Sequence, residues 1–373
     1  MKKFSLILGM LILSLFITPS FKVNAETVVN NEEELRAAIS QGGDIVINSD
    51  IEVKDTITIN KDTNITYEHY DNEIFLNDDK TLLEVNNANV NIDVNLTTGN
   101  KNEGNYEIKG GKALVINSGN VNISSREIRA GNAIVANGGN VNIYDPYIFA
   151  NDIAIIANDG SNVKVMPREG QKSALIGYKN AMYLNGGTIE LDGPVVVSSY
   201  DDIKSIYINK GYNTKTNEEA LKFNTNFVFG YLKDQKPNFS IYVNPEIKDL
   251  KINDAKNWLE VKNNKLTLNF CSNSYMLYSS NTIEERNEIC GNMHAVYDGP
   301  IYSNELSKCM NVYISGNLNT IDDGTCNVKD TENTQVVEVP STSAQMSIII
   351  ASIGIIFISL AVIVTKHITK KNQ

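Results

Sequence analysis

The sequence predicts an all-β chain in which short parallel strands wind into a solenoid of the parallel β-helix type. Three observations lead to this prediction. One stretch repeats itself at steps of 20, 21 and 27 residues, apolar and polar residues alternate within each copy, and every copy carries an Asn and a Gly between its apolar runs. A helical solenoid would need about ten or more residues of 3.6-residue periodicity in each copy. No copy contains such a run.

The four copies read ALVINSGNVNI from Ala113, AIVANGGNVNI from Ala133, AIIANDGSNVKV from Ala154 and AMYLNGGTIEL from Ala181. In the second half of each copy, the alternation predicts a strand with one buried side and one side in solvent. Asn and Gly tolerate the left-handed backbone that a tight turn requires. Each copy is therefore predicted to contribute one coil of the solenoid, with a turn at its Asn.

The asparagines at these turns are predicted to form a ladder. Equivalent residues of successive parallel coils lie about 4.8 Å apart, so each amide can bond to the next and hold the coils in register. An earlier segment, LLEVNNANVNI from Leu82, matches the repeat with Ala88 in place of the Gly. The predicted ladder residues are Asn86, Asn117, Asn137, Asn158 and Asn185.

The N-terminal residues predict an export signal followed by a cap. Residues 1–25 begin with Lys2 and Lys3, continue with an apolar run and end in a small-residue cleavage site at Ala25. In residues 26–43, Asn31 can cap a helix that has three acidic residues in its first turn and an apolar stripe. This segment is predicted to be a helix covering the open apolar end of the first coil.

The rest of the chain divides into six predicted segments. They are the parallel β-helix at 44–210, further irregular coils or a small β cap at 211–270, a cysteine-stapled segment at 271–329, a polar stem at 330–346, a transmembrane helix at 347–365 and a cytoplasmic tail at 366–373. The 19 residues of 347–365 are apolar and long enough to span a bilayer. The basic tail that follows them belongs on the cytoplasmic side.

Cysteine and charge content agree with an exported body. Four cysteines within one exported segment predict two disulfides, with all three pairings open: Cys271, Cys290, Cys309 and Cys326. No C-x-x-C motif occurs, so a zinc or redox site is not predicted. Between signal and tail the chain carries 27 basic and 44 acidic residues, a net charge of about −17. Such a surface repels nucleic acid, which excludes a nucleic-acid partner.

The opening NEEELRAAIS from Asn31, the following GGDIVINSDIEV and the N-x-G coils up to Asn209 resemble a known family. The family comprises the pectate-lyase-like right-handed β-helix surface proteins of Gram-positive bacteria. The resemblance implies a right-handed coil and an adhesive or carbohydrate-contacting domain at the cell surface. The complete fold prediction is thus a right-handed parallel β-helix with an N-terminal capping helix and one C-terminal transmembrane helix.

The C-terminal region also resembles a sortase cell-wall sorting signal, in which a Thr–Gly bond is cut and the Thr is joined to peptidoglycan. The motif residues are Val339, Pro340, Thr342 and Ser343, followed by the apolar span and the basic tail. Val339 stands where the signal has Leu, and Ser343 stands where it has Gly. A plain membrane anchor is therefore favoured, with attachment to peptidoglycan as the alternative.

Three functions stay open from the sequence. The favoured one is adhesion, or recognition of a carbohydrate or a host surface protein, without catalysis. Tyrosines recur along the coils and could stack on sugar rings or on a partner, or instead fill the core: Tyr144, Tyr147, Tyr178, Tyr183, Tyr200 and Tyr207. The alternatives are a lyase or hydrolase acting on acidic polysaccharide, and a structural surface spacer.

An enzyme of either kind would need converging carboxylates, and a lyase would also need a base beside them. The carboxylates considered are Asp152, Asp159, Asp201 and Asp202, and the basic residues are Arg126, Arg129 and Arg168. The arginines lie in predicted turns and loops, where solvent exposure explains them. We therefore predict no catalytic residue, no cofactor site and no metal site. The predicted partners are the membrane, peptidoglycan, and a polysaccharide or host protein.

Overall fold

We describe the protein from a computed structural model. The structure describes residues 26–102, 105–167, 173–199, 205–225, 228–231, 241–255, 258–268, 276–278 and 309–322. All of these lie in one compact unit, residues 1–326. The predicted signal peptide, stem, transmembrane helix 347–365 and tail lie outside the described residues. Within the ranges given, no helix is long and apolar enough to cross a membrane.

The described chain is almost entirely β, and its strands, numbered in chain order, stack in three rows. Row one is a 12-stranded sheet among the described residues, and it is parallel except for its last pair. In spatial order its strands are β1 (Thr27–Val29), β2 (Gly43–Ile47), β5 (Thr63–Tyr67), β8 (Ala88–Ile92), β12 (Gly119–Ile123), β14 (Asn140–Tyr144), β16 (Asn162–Met166), β19 (Thr188–Leu191), β22 (Leu221–Phe223), β25 (Asp249–Asp254), β29 (Met310–Ile314) and β30 (Asn317–Ile321).

Rows two and three are parallel and share two long strands, β13 (Ile128–Ala136) and β15 (Tyr147–Asn158). Row two also contains β3 (Ile51–Val53), β6 (Glu73–Leu76), β9 (Asn95–Asn102), β17 (Ala174–Gly177), β20 (Pro194–Ser199), β23 (Val228–Tyr231) and β28 (Met276–Tyr278), with β10 (Asn105–Ile108) antiparallel to β9. Row three also contains β4 (Ile57–Ile59), β7 (Thr81–Val85), β11 (Lys112–Ile116), β18 (Asn180–Asn185), β21 (Ile206–Lys210) and β24 (Ile241–Val243).

The chain visits the three rows in the same order on each circuit, so one circuit is one coil. The third coil, for example, runs through β8, β9 and β11 before β12 begins the fourth. Each strand then pairs in parallel with its equivalents in the coils before and after. The expectation of an all-β chain built on long parallel sheets is thus confirmed.

The core lies between the rows and is built from columns of like side chains. In row one, Val121 pairs in register with Val90 on one side and Val141 on the other, and all three are at most 1% exposed. β-Branched residues suit such columns because their restricted side chains pack well on a pleated surface. Alternation sends the residues between them outward, where they meet solvent.

The single described helix, α1 (Glu32–Gln41), covers the first coil. The side chain of Asn31 caps it by accepting the backbone N–H of Glu34 over 3.0 Å. Leu35, Ala38 and Ile39 face the core and are buried. The segment predicted as cap, 26–43, also holds the short strand β1, which pairs with β2 at the edge of row one.

The rows continue past residue 210, where the sequence analysis ends the regular coil. Strands β22, β24, β25 and β29 extend rows one and three in parallel register. A hairpin of β26 (Leu259–Lys262) and β27 (Lys265–Leu268) forms a separate antiparallel pair here, with Leu259 and Leu266 buried in the core cluster. The described part of 211–270 thus contains strands that extend the rows and one antiparallel hairpin.

Candidate ligand-binding face

The predicted ladder asparagines lie in the turn between row three and row one. Nδ2 of Asn117 donates to Oδ1 of Asn86 over 2.8 Å, and Asn137 donates to Asn117 in the same way over 2.8 Å. The next two bonds run from Asn158 to Asn137 (2.8 Å) and from Asn185 to Asn158 (3.0 Å). We call this row of amides the turn ladder.

The turn ladder is longer than predicted. Asn209 donates to Asn185 over 2.9 Å, and Asn244 donates to Asn209 over 3.0 Å. The sequence contained a signal for Asn209, because Gly211 follows it as in the repeat. Asn244 is followed by Pro245 and has no such Gly, so the repeat pattern could not find it. The amides of the turn ladder are engaged with one another, which makes it a structural device that holds the coils in register.

A second set of asparagines forms a surface that can meet a ligand. On β8, β12 and β14, the residues that alternate with the buried core residues are six Asn and, at the end of β14, Tyr144. We call these six asparagines the asparagine face, and four of them are exposed while Asn122 and Asn142 are half-buried. They form two columns: Asn89, Asn120 and Asn140, and beside them Asn91, Asn122 and Asn142.

Each column is itself a ladder of amides. In the first, Asn120 donates to Asn89 over 2.8 Å and Asn140 donates to Asn120 over 2.9 Å. In the second, Asn122 donates to Asn91 over 2.8 Å and Asn142 donates to Asn122 over 3.0 Å. These bonds orient the amides alike from coil to coil, so the face is a regular and uncharged array of hydrogen-bonding groups.

The face ends in carboxylates on its N-terminal side. Asn89 donates both its backbone N–H (2.8 Å) and its Nδ2 (3.0 Å) to the carboxylate of Asp62, and Asn64 donates to Asp44 over 3.1 Å. The hydrogen bonds from Asn89 lower the pKa of Asp62 below its ordinary value, so this carboxylate is ionised at neutral pH. These residues line a groove of about 760 Å³ that opens onto the face.

On the other side the columns end differently. The first column continues to Asn162, whose Oδ1 accepts from the buried Asn213 over 3.3 Å. The second column continues to Lys164, which pairs with Glu190 at 3.0 Å and Asp192 at 3.1 Å. Burial alone would lower the pKa of Lys164, but the bonds to these two carboxylates outweigh it and raise that pKa. At this end, therefore, charged groups bound the second column, while the first column continues in uncharged amides.

The predicted tyrosines separate into different environments. Tyr183 and Tyr207 stack in row three with ring centroids 5.0 Å apart, and Tyr242 stacks on Tyr207 at 4.8 Å. Both faces of the Tyr207 ring are thus covered and cannot stack on a sugar. Tyr144 lies two residues beyond Asn142 on the outer side of β14, beside the asparagine face. The others are Tyr147, packed edge-on against Phe149, Tyr178, which is 55% exposed, and Tyr200, outside the described residues.

The acidic and basic residues considered for catalysis form pairs at separate places. Asp152 pairs with Lys179 at 2.7 Å, and Asp159 pairs with Lys210 at 2.5 Å. Arg129 pairs with Glu127 at 2.5 Å, while the Arg126 guanidinium lies 4.7 Å from the ring centre of Tyr70. Asp201, Asp202 and Arg168 lie outside the described residues. Within the part of the chain that the structure describes, no group of three or more His, Cys, Asp or Glu residues could hold a metal ion.

The remaining predicted sites lie at or beyond the edge of the described chain. Cys309 is disulfide-bonded, and Cys271, Cys290 and Cys326 lie outside the described residues. The same holds for the cleavage site at Ala25 and for the motif Val339, Pro340, Thr342 and Ser343. In comparisons with known proteins, no family model, curated protein or solved structure matches the chain.

Proposed function

We propose that this chain is an exported bacterial surface protein, anchored at its C-terminus, that recognises a ligand without chemical turnover. The observation that supports recognition is the asparagine face, because it offers a regular array of exposed hydrogen-bonding groups that the core does not need. Polar side chains placed in a fixed pattern on rigid strands give a binding surface its specificity. A polysaccharide or a surface protein of the host is the proposed partner.

We further propose that the coil is the right-handed parallel β-helix of the pectate-lyase-like surface proteins. Crossovers between parallel strands of one sheet are right-handed in about 98% of cases, which favours this hand. The stacked parallel rows and the cap α1 support the same architecture. Far-UV circular dichroism dominated by helix would contradict it.

Anchoring is proposed to occur through helix 347–365 in the membrane, with peptidoglycan attachment through the motif at Thr342 as the alternative. Cell fractionation decides between them. A membrane anchor predicts that the protein stays with the membrane after wall digestion and in a sortase-deletion strain. Release from the cells on wall digestion alone, lost in the deletion strain, would instead establish peptidoglycan attachment.

Recognition can be tested with the full chain, purified in detergent and applied to arrays of polysaccharides and host matrix proteins. We expect retention on at least one ligand, with neither new reducing ends nor the ultraviolet absorbance of an unsaturated sugar product. Appearance of either product would show turnover and contradict a binding-only function. Failure to retain any arrayed ligand would favour a structural spacer.

A further inference from the structure

We propose that the asparagine face binds a neutral linear polysaccharide that lies along the coil stack, with about one sugar unit per coil. This inference rests on the proposed recognition function and names the chemical class of its ligand. Three properties of the face lead to it: the hydrogen-bonding groups left over by the ladders, their spacing and their lack of charge.

The first property is what each amide still offers after the ladder bonds are made. An Asn side chain has two N–H donors and two acceptor lone pairs. In the middle of a column, Asn120 uses one donor toward Asn89 and one lone pair toward Asn140. One donor and one acceptor remain for a ligand. A sugar hydroxyl both donates and accepts, so it satisfies both groups, whereas a carboxylate or sulfate only accepts.

The second property is spacing. Neighbouring coils lie about 4.8 Å apart, and the two columns, which are two residues apart on each strand, lie about 6.8 Å apart. An extended sugar chain advances by about one strand spacing per pyranose ring, so one ring lies opposite each coil. In a β-1,4-linked chain successive rings are turned over, so the same hydroxyl meets the amides at every second coil. A peptide laid in the same direction advances about 3.4 Å per residue and falls out of step within a few coils.

The third property is charge. The six residues of the asparagine face are uncharged, and the groove at their N-terminal end contains the carboxylates of Asp44 and Asp62. At the other end, two carboxylates surround the single amine of Lys164. Lys61 also lines the N-terminal groove, so each end combines two carboxylates with one amine, and an acidic polysaccharide would meet net negative charge at both ends. A neutral chain avoids this repulsion, and the Tyr144 ring beside Asn142 offers an apolar surface for the C–H side of a sugar.

The test uses the full chain in detergent and β-1,4-linked oligosaccharides of glucose and of N-acetylglucosamine in increasing length, with polygalacturonate as the acidic probe. Affinity for a neutral series should rise with length until about three units span the three coils of the face, then level off. Added salt should leave this affinity nearly unchanged, because the contacts are uncharged. Equal or tighter binding of polygalacturonate, or affinity independent of length, would overturn the inference.

Variants then locate the site. Replacing Asn122 and Asn142 together by Val keeps good strand propensity and removes two amides, so affinity should fall about tenfold or more. The control is Asn253→Val on β25, which lies beyond the ion pairs of Lys164 and should leave affinity within about twofold. Unchanged binding by the double variant would overturn the site. If the double variant does not fold, as judged by circular dichroism, the length series with the unmodified chain decides.

The two proposals can fail separately. Retention of a host protein or an acidic polymer, with no neutral saccharide bound, would overturn this inference and leave the recognition function standing. Retention of no ligand of any class would overturn both.

Discussion

Asparagine has two distinct roles in this protein, and position alone separates them. In the turn ladder, Asn117 donates to Asn86 and also to Glu84, at 2.8 and 2.6 Å, so its amide is used inside the fold. On the asparagine face, the exposed side chain of Asn120 bonds, among the described residues, only along its column. The same amide chemistry therefore provides register in the turn and a surface for contact on the strand.

A charge placed in the turn ladder should be costly. In Asn137→Asp, the donor that reaches Oδ1 of Asn117 is replaced by an acceptor, so two oxygens face each other at neutral pH. We expect the free energy of unfolding, measured in urea, to fall by about 1–2 kcal/mol. The control Asn253→Asp adds the same charge where the side chain makes no hydrogen bond to the described residues, and should change it by less than about 0.5 kcal/mol. Equal losses in both would contradict a structural ladder.

Asp93 gives a prediction for pH dependence. Burial raises the pKa of this carboxyl above its ordinary value of 3.8. The ionised form is thus disfavoured in the folded state, and stability is lost as pH rises through 3.8 to the raised pKa. Asp93→Asn should therefore be more stable than the unmodified chain at neutral pH, and the difference should vanish below pH 3.8.

The opposite sign is expected at Asp62, whose pKa is lowered by hydrogen bonds from Asn89. Its stabilising contribution is present at neutral pH and is lost as pH falls through the lowered pKa. Asp62→Asn should accordingly be less stable at neutral pH. Thermal unfolding across pH checks both variants, and effects of the same sign would show that the two environments are wrongly assigned.

At the scale of elements, the turns between row three and row one demand close approach of neighbouring coils. Gly139 has a φ of 76°, and a Cβ there would lie 2.3 Å from the carbonyl oxygen of Gly119 in the preceding coil. Both the backbone conformation and the packing therefore require Gly. This explains why the repeat keeps a Gly shortly after its Asn.

Gly316, in the β29–β30 hairpin, has the same backbone requirement as Gly139 but not the packing requirement. It has a similar φ of 82°, but apart from its two neighbours in the chain no described residue lies within 4 Å of the position a Cβ would take. Gly316→Ala should cost about 1–2 kcal/mol of unfolding free energy from the backbone alone. Gly139→Ala should cost about 2–5 kcal/mol, because overpacking is added to the same strain. Chemical denaturation measures the difference, and equal costs would mean that the coils can move apart at this turn.

At the scale of the whole molecule, one core runs through the stack. A single cluster of buried apolar residues includes Leu35 of the cap and Trp258, which precedes β26. In a solenoid each coil contacts only its neighbours, so a change in stability at one end reaches the other end only through the coils between them. Whether the coils unfold together or separately can therefore be measured by weakening one end and observing the unfolding of the other.

Leu35→Ala should remove about 2–5 kcal/mol, because Leu35 is fully buried against the first coil. Trp258 is the only tryptophan in the chain, so its fluorescence reports unfolding far from the cap. If the stack unfolds as one unit, Leu35→Ala will shift the unfolding midpoint by the same amount whether fluorescence or far-UV circular dichroism is followed. A fluorescence midpoint that does not move would mean that the first coils unfold separately. Leu318→Ala, at a site 59% exposed on β30, is the control and should shift neither.

Much of the fold follows from local pattern. The alternation around Val121 and Val141 identifies the buried side of each strand, and the N-x-G step marks each turn to row one. Both signals are local, because strand periodicity and turn conformation depend on residues close together in the chain. The coils after residue 210 lack that regularity, and their assignment to rows one and three depends on pairing with strands already in the stack.

The sequence by itself thus determined the class of fold, the coil repeat and the residues of the turn ladder from Asn86 to Asn185. Only the tertiary structure decided that Asn120 and Asn122 belong to an exposed face shared by three coils, and that Tyr207 is enclosed between two other rings. The reason is physical: a period-two pattern states which residues of one strand point outward, but not which residues of other coils stand beside them. That neighbourhood arises from coil register, because loops of different length place residues 20 to 31 positions apart side by side.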